Sequence, residues 1–249
     1  MTHSHPMKTA FLTGASGGLG QELARQLNDA GAALLLAGRD QGRLAALTAS
    51  LGTGVASVCA DLGRPAGIVA LAGAAREFGI NVLINNAGVG AFGLFENQDW
   101  PTIEGVLATN LEAPVRLTHA LLPWLKAQPQ AAIVNIGSTF GSLPFPGFVA
   151  YSAAKAGLRG FSQALRRELA DSLVSVVHIA PRAIDTPLNS DAVKALNRAL
   201  KNHSDSAEDV ARQIVRALRR GDGESHFGFP EDRKSVVWGK SVRTCVDLG

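Results

Sequence analysis

The chain of 249 residues has few cysteines, no long apolar run and little net charge, and each of these features excludes a class of protein. Its two cysteines, Cys59 and Cys245, lie far apart and match no metal-ligand spacing, so we expect neither disulfides nor a metal site, and a reducing, cytoplasmic location fits best. No apolar run reaches the roughly eighteen residues of a membrane span. The basic residues are dispersed and the formal net charge is only +3, so nothing favours nucleic-acid binding.

Tyrosine is the scarcest aromatic residue, because the chain has only one. Tyr151 begins the segment YSAAK, in which Lys155 follows four positions later. Hydrophobic residues make up 46% of the chain and charged residues 18%, which is enough for the large core of a single α/β domain. We therefore look for the role of this tyrosine and lysine within a single α/β domain.

Short apolar runs alternate with stretches rich in Ala, Leu and Arg that are long enough for helices. The runs are KTAFLTG, AALLLAG, VASVCA, NVLINNAG, AAIVNIGS and SVVHIAP. Continuous apolar strands indicate a parallel sheet that is covered on both faces, so we predict one Rossmann-like, doubly wound α/β domain. Such sheets bind ligands beyond the carboxyl ends of their strands. We interpret His178, inside the last run, as a core histidine with its hydrogen bonds satisfied.

The first strand ends in TGASGGLG, residues 13–20, which has the glycine spacing G-x-x-x-G-x-G. Glycine permits a tight turn and a close approach of the backbone, and the following helix directs its N-terminal N–H groups at a phosphate. The segment therefore predicts a dinucleotide-binding turn formed by Gly14, Ser16, Gly18, Leu19 and Gly20, although an ordinary turn is the alternative.

Three further strand ends extend this prediction. The second strand ends in AGRD, where Arg39 faces the adenosine ribose and matches a 2′-phosphate, which favours NADP(H) over NAD(H). The alternative is that Arg39 is a solvated charge and Asp40 caps the next helix. The third strand ends in CADLG, which places Asp61 and Leu62 by the adenine. The fourth ends in NNAG, whose small residues allow close approach of the backbone to the cofactor, so we assign to it these residues: Asn86, Ala87 and Gly88.

This ordered set of segments resembles the short-chain dehydrogenase/reductase family over about residues 7 to 190. The segments are TGASGGLG, the Asp61 position, NNAG, ATNLEA, VNIGS and YSAAK. The resemblance implies a Rossmann-like fold, a nicotinamide cofactor, pairing into a homodimer or homotetramer, and a catalytic group consisting of Asn110, Ser138, Tyr151 and Lys155. It also implies cofactor contacts from Tyr151, Lys155, Pro181, Ile184 and Thr186.

The chemistry of carbonyl reduction accounts for this group. Hydride transfer to a carbonyl needs a proton on the oxygen, and a phenol with a pKa of about 10 is a poor acid or base near neutral pH. Tyr151 and Lys155 lie one turn apart in a helix expected over about 150 to 171, so the ammonium can lower the pKa of the phenol. Ser138 can bond the substrate oxygen, and Asn110 can hold a water that links Lys155 to solvent.

The segment PRAIDTP, residues 181–187, departs from the family, which usually has glycine after the first proline. Arg182 stands there instead, and it either pairs with Asp185 or binds an anionic part of the substrate. Near the reacting centre, the segments AFGLF and FGSLPFPGFVA carry Phe140, Leu143, Phe145 and Phe148. We therefore expect a lipophilic substrate, unless these residues only pack the loop against the core.

The last eighteen residues, 232–249, carry four basic and two acidic residues and do not resemble the rest of the chain. One back-translation of Asp232 to Val237, GATCGGAAGAGCGTCGTG, is the start of a common sequencing-library adaptor. We therefore interpret residues 1–231 as the NAD(P)-binding domain and residues 232–249 as a non-native tail. The alternative is a genuine basic C-terminal strand or arm.

Two functions remain open from the sequence. The first is an NADP(H)-dependent oxidoreductase that interconverts a small carbonyl compound and its alcohol, and the intact group of four residues favours it. The second is a catalytically idle NADP-binding module with a regulatory or scaffolding role. Turnover of the cofactor with a panel of carbonyl compounds distinguishes the two.

Overall fold

The computed structural model describes residues 8–186, 191–199, 204–220 and 224–226, and the tail at 232–249 lies outside them. At its centre is a seven-stranded sheet in the order β3-β2-β1-β4-β5-β6-β9, with every neighbouring pair parallel. Its strands are β1 Thr9–Thr13, β2 Ala33–Gly38, β3 Val55–Cys59, β4 Val82–Asn85, β5 Ala131–Ile136, β6 Val174–Ala180 and β9 Glu224–His226. All six apolar runs therefore form strands, and the predicted Rossmann-like fold class is confirmed.

The apolar runs are continuous because the sheet is buried on both faces. In β1, Leu12 packs into one hydrophobic cluster while Phe11 packs into the other. In β2, Leu34 and Leu35 divide in the same way. Since successive side chains of a strand point to opposite faces, both must be apolar when helices cover both faces.

Eight helices in the described part of the chain surround the sheet, and none has the length and hydropathy to cross a membrane. The bounds are α1 Gly18–Asp29, α2 Gln41–Leu51, α3 Pro65–Phe78, α4 Trp100–Leu107, α5 Ala113–Lys126, α6 Val149–Glu168, α7 Asp191–Ala199 and α8 Ala207–Arg220. The hydrophobic cluster that contains Leu12 is formed with α1, α2 and α8, and the cluster that contains Phe11 with α3, α5 and α6. The helix that carries Tyr151 is thus α6, three residues shorter at its end than the sequence suggests.

The order of the sheet reverses between β1 and β4, which pair with each other although two strands separate them in the sequence. A crevice opens at such a switch point, beyond the carboxyl ends of the strands. Beside it, β7 (Ile184–Asp185) and β8 (Asp205–Ser206) form a separate two-stranded sheet. The small sheet joins the segment after β6 to the segment before α8.

A chain of buried polar side chains connects α6 to the centre of the sheet. Asn85 Nδ2 donates to Asn135 Oδ1 over 2.8 Å, and Asn135 Nδ2 donates to Ser162 Oγ over 2.8 Å. Ser162 Oγ in turn lies 3.3 Å from His178 Nδ1. His178 is only 2% exposed, so the prediction of a hydrogen-bonded core histidine is confirmed.

Candidate active site

One cavity of about 980 Å³ runs along the carboxyl ends of the strands. Each residue that the sequence singled out for cofactor binding or catalysis lines it. The structure therefore brings together segments that are far apart in the chain, from the turn after β1 to the segment after β6. Among the residues described, no cluster of three or more His, Cys, Asp or Glu side chains is placed to hold a metal.

The turn after β1 depends on glycine at two positions. Gly14 has a φ of +65°, and a Cβ there would lie 2.7 Å from the Cα of Ala87. A Cβ at Gly20 would lie 2.1 Å from the carbonyl oxygen of Gly14. Both distances are too short for any side chain, so the turn, the start of α1 and the loop after β4 pack backbone to backbone.

The start of α1 is open to the cavity. Gly17 precedes the helix and offers no side chain to cap it, so the first N–H groups of α1 have no side-chain acceptor. Such a helix start is suited to a phosphate. Thr13 secures the neighbouring loop, because its Oγ1 accepts hydrogen bonds from Asn86 N (3.0 Å) and Ala87 N (3.1 Å).

The other end of the cavity is lined by charged residues that follow β2 and β3. Asp40 caps α2, with its Oδ1 accepting from Arg43 N over 2.9 Å and its Oδ2 lying 3.3 Å from Arg43 Nε. The alternative interpretation of Asp40 as a helix cap is therefore confirmed. Arg39 is exposed and has no ion-pair partner among the described residues. Asp61 accepts from Gly63 N over 3.0 Å, which closes the turn after β3.

Asn110 lies in the π-helical turn between α4 and α5. A π-helical turn over Ala108–Glu112 joins α4 to α5 and carries the side chain inward, where it is 1% exposed. Asn110 Nδ2 donates to the carbonyl oxygens of Val89 (2.8 Å) and Val106 (2.9 Å). Its Oδ1 is buried and accepts no hydrogen bond from a described residue. A buried acceptor without a donor is costly, so this oxygen is suited to an ordered water or a ligand donor.

Tyr151 and Ser138 meet at the substrate end of the cavity. Ser138 follows β5, and its side chain lies close enough to that of Tyr151 to affect the pKa of the phenol. Burial raises the pKa of Tyr151 above its usual value, and the Ser138 hydroxyl opposes this rise. The expectation that the pKa is lowered is therefore wrong for the described chain. A raised pKa makes the phenol a weaker acid, so donation of its proton requires a neighbouring cation to stabilise the phenolate.

Lys155 is 4% exposed, and burial lowers its pKa to about 8. Its Nζ donates to Ile136 O over 2.9 Å and lies 5.7 Å from the centre of the Tyr151 ring. The ammonium is therefore fixed beside the phenol by a backbone carbonyl of β5.

Gly88 leaves a gap between Lys155 and Asn110. A Cβ at position 88 would lie 2.8 Å from Asn110 Oδ1 and 3.9 Å from Lys155 Nζ. The gap thus adjoins both an acceptor without a donor and an ammonium. These are the partners that a water linking the two residues needs.

Arg182 is engaged on the far side of the cavity. Its Nε donates to Asp205 Oδ2 over 2.8 Å and its Nη2 to Asp205 Oδ1 over 2.6 Å. The side chains are 24% and 18% exposed. Arg182 therefore pairs with Asp205 of β8, a partner that the sequence analysis did not consider.

The loop before α6 contributes much of the apolar lining. Phe140, Phe145 and Phe148 line the cavity together with Phe92, but Leu143 and Phe95 do not. Sequence analysis missed several other lining residues, including three from α7. The missed residues include Arg43, Thr139, Val193, Leu196 and Asn197. Their positions depend on how loops fold back over the sheet, for which the sequence carries no periodic signal.

The parallel sheet, the glycine turn at a helix start and the Ser138, Tyr151 and Lys155 group define a dinucleotide-binding oxidoreductase. Residues 8–197 match the model of the short chain dehydrogenase family. The chain is 32% identical to the uncharacterised oxidoreductase DltE of Bacillus subtilis (strain 168), with 87% of this chain and 86% of that protein covered. It therefore belongs to the short-chain dehydrogenase/reductase family of NAD(P)-dependent enzymes.

Solved structures agree with this assignment. A short-chain dehydrogenase from Sphingobium yanoikuyae, in complex with NADPH, is 32% identical with a TM-score of 0.82, over 90% of this chain and 89% of that one. A short-chain dehydrogenase/reductase from Burkholderia phymatum, in complex with NAD, is 26% identical with a TM-score of 0.84, over 94% and 93%. Similar proteins thus bind either nucleotide.

Proposed function

We propose that this protein is an NADP(H)-dependent oxidoreductase that interconverts a lipophilic carbonyl compound and its alcohol, with Tyr151 as the acid and base. The observation that carries the proposal is that the Ser138 and Tyr151 side chains line one cavity together, beside the buried ammonium of Lys155. A hydroxyl pair of this kind can hold and protonate a carbonyl oxygen.

Each residue of the group has a separate task. Ser138 orients the carbonyl oxygen by hydrogen bonding, and Tyr151 gives that oxygen its proton. Lys155 stabilises the phenolate that remains, and the free Oδ1 of Asn110 holds the water through which the proton is replaced. When bound, the cofactor supplies the hydride.

The lining of the cavity supports the binding of a dinucleotide. The glycine turn and the open start of α1 would hold the pyrophosphate, and Asp61 and Leu62 would border the adenine. Pro181, Ile184 and Thr186 would border the nicotinamide. We place this activity in a cytoplasmic protein whose functional unit is residues 1–231 and which pairs as a homodimer or homotetramer.

The test of function is NADPH oxidation with a panel of ketones and aldehydes, comparing the unmodified enzyme with Tyr151→Phe. Loss of the proton donor should reduce kcat/KM by about 10²- to 10⁴-fold while leaving NADPH affinity nearly unchanged. Ser172→Ala is the matched control, because it removes a hydroxyl from the turn after α6, where Ser172 Oγ donates to Leu169 O. Near-normal turnover by Tyr151→Phe would exclude the proposed acid. Absence of turnover by the unmodified enzyme, with tight NADPH binding, would favour the idle module.

Cofactor choice is tested separately by titrating NADPH and NADH. An exposed guanidinium without a carboxylate partner should favour the 2′-phosphate, so Arg39→Gln should weaken NADPH binding by about 1 to 3 kcal/mol and leave NADH binding unchanged. Arg116→Gln serves as the control, since Arg116 is exposed on α5 and pairs with Glu112. Equal loss of both nucleotides in Arg39→Gln would contradict the preference for NADP(H).

A further inference from the structure

Four phenylalanines and Tyr151 form a continuous aromatic wall at the substrate end of the cavity. Phe148 is central, with ring centres 4.9 Å from Phe92 and 5.0 Å from Phe140. Phe140 and Phe145 stack at 5.6 Å with an angle of 15° between their planes. Both Phe140 and Phe148 present an edge contact to Tyr151, at 6.4 Å and 6.2 Å. The wall therefore reaches the proposed proton donor without a break.

The backbone holds these rings in place before any substrate arrives. Gly147 has a φ of +82°, and a Cβ there would lie 2.6 Å from the ring of Phe92. The neighbouring Gly93 N donates to Gly147 O over 3.0 Å, which ties the two loops together. A wall that is already ordered loses little conformational entropy when a ligand binds against it.

Packing within the protein nevertheless leaves part of the ring surface exposed to the cavity. Phe92, Phe140 and Phe145 are each partly exposed, and all three line the cavity. Residues Val193 and Leu196 of α7 also line it. A substrate entering this end therefore meets aromatic faces and edges together with aliphatic groups.

The cations Arg182 and Lys155 at this end already have partners within the protein. Arg182 forms its two-bond ion pair with Asp205, so its positive charge is matched within the protein. Lys155 is buried behind Tyr151 and bonded to a backbone carbonyl. An anionic substrate would have to compete with Asp205 for Arg182, whereas an uncharged one displaces nothing.

We propose that the substrates are uncharged carbonyl compounds that carry an aryl ring, and their alcohols, whose ring packs against Phe140, Phe145 and Phe92 while the oxygen meets Tyr151 and Ser138. This inference rests on the proposed function and names its substrate class. Aromatic rings prefer offset-stacked or edge-to-face contact with other rings, beyond what burial of apolar area provides. A planar ring can make both kinds of contact with this wall.

The test compares phenylacetone with cyclohexylacetone on the unmodified enzyme. A CH₂ group separates the ring from the carbonyl in both ketones, so their carbonyl reactivity is similar and they differ in the ring alone. The saturated ring is the more apolar one, so burial alone would not favour the phenyl compound. We expect kcat/KM for phenylacetone to be higher by about 3- to 10-fold, the factor that corresponds to an aromatic contact.

Equal or reversed kcat/KM would overturn the aryl substrate class while leaving the oxidoreductase function intact. Reduction of neither ketone, alongside reduction of polar ketones or sugars, would also overturn it. Failure of every carbonyl compound tested would instead remove the proposed function itself. These outcomes are distinct, so the inference and the function on which it rests can fail separately.

Variants locate the preference in the wall. Phe140→Leu and Phe145→Leu each remove a ring but keep an apolar side chain, so both should reduce the ratio of kcat/KM for the two ketones toward one. The control is Phe95→Leu, because Phe95 is 50% exposed and does not line the cavity. NADPH affinity and melting temperature measured in parallel exclude misfolding as the cause. An unchanged ratio in both wall variants, with normal NADPH affinity, would overturn the proposal.

Discussion

Gly88 keeps the gap between Asn110 and Lys155 open because it has no side chain. In Gly88→Ala, the new methyl carbon would lie 2.8 Å from Asn110 Oδ1 and would occupy the place of the proposed water. We expect kcat to fall by about 10- to 100-fold, because removal of one well-placed polar group costs about 1.4 to 3 kcal/mol. The measurement is steady-state turnover at saturating NADPH.

Gly160→Ala is the matched change on the catalytic helix, since no atom lies within 4 Å of a Cβ at that position. It should leave kcat unchanged, and it should raise the melting temperature slightly because alanine favours a helix more than glycine does. If Gly88→Ala keeps normal turnover, then the gap has no part in proton exchange.

The buried ammonium of Lys155 links stability to pH. Its pKa is about 8 in the folded protein, whereas a solvated lysine side chain has a pKa of 10.5, so between these values the unfolded chain binds the proton and the folded chain does not. Stability relative to Lys155→Met should therefore rise with pH across this window, by at most about 1.4 kcal/mol per pH unit. Melting temperatures of both proteins at pH 7 and pH 9.5 measure the effect.

Lys126→Met provides the reference, because Lys126 is exposed at the end of α5. The difference between the unmodified protein and this variant should not grow with pH. A difference for Lys155→Met that stays constant from pH 7 to pH 9.5 would show that the ammonium is not desolvated as the structure indicates.

At the level of elements, Asp205 of β8 pairs with Arg182 and thereby holds the segment after β6 in place. The Arg182 and Asp205 pair closes this segment at its base, where Asp205 N also donates to Ala183 O over 2.9 Å. Because α7 lies between these two points and lines the cavity, Arg182→Gly should raise KM for the carbonyl substrate by about 5- to 30-fold, equivalent to about 1 to 2 kcal/mol for a charged hydrogen-bonded pair. Substrate saturation curves measure this.

An exchange variant tests whether the pair itself matters. Arg182→Asp combined with Asp205→Arg keeps both charges and should restore part of the lost KM, while Asp205→Asn alone should behave like Arg182→Gly. If all of these variants keep the original KM, then the pair does not position α7 for the substrate.

Elements differ in how far their sequence determines them. The strands β1 to β6 could be predicted because most of their residues are apolar, as burial of the central strands on both faces requires. The strand β9 has only three residues, Glu224–His226, and its sequence ESH has no apolar pattern. Its place in the sheet depends on tertiary contacts such as the pairing of Glu224 with Arg159 of α6, over 2.7 Å.

In the candidate site, too, some features could be predicted from the sequence and others depend on the folded structure. Motif spacing was sufficient to bring Asn110, Ser138, Tyr151 and Lys155 to one cavity, since parallel strands end at the same edge of the sheet. The direction of the Tyr151 pKa shift could not be predicted. It depends on burial, which raises the pKa, and on the nearby Ser138 side chain, which lowers it, and only the folded structure defines how far each acts.

For the molecule as a whole, residues 232–249 provide a prediction from sequence alone. If they are translated adaptor DNA, they have no history of selection with the domain and no reason to complement its core. Deleting them should leave melting temperature and kcat/KM essentially unchanged. Differential scanning calorimetry and the NADPH assay measure both, and a loss of several degrees or of most activity would show that the tail belongs to the fold.

The loop that carries Phe140 rests directly on the helix that carries the proton donor, since a Cβ at Gly141 would lie 2.8 Å from the carbonyl oxygen of Lys155. Substrate selection and proton transfer are thereby built into one rigid unit. A lineage that adapts to a new substrate by enlarging a residue of this loop next to α6 would disturb its own chemistry. Substitutions on α7, which borders the same cavity from a separate segment, offer a route to new specificity at a smaller catalytic cost.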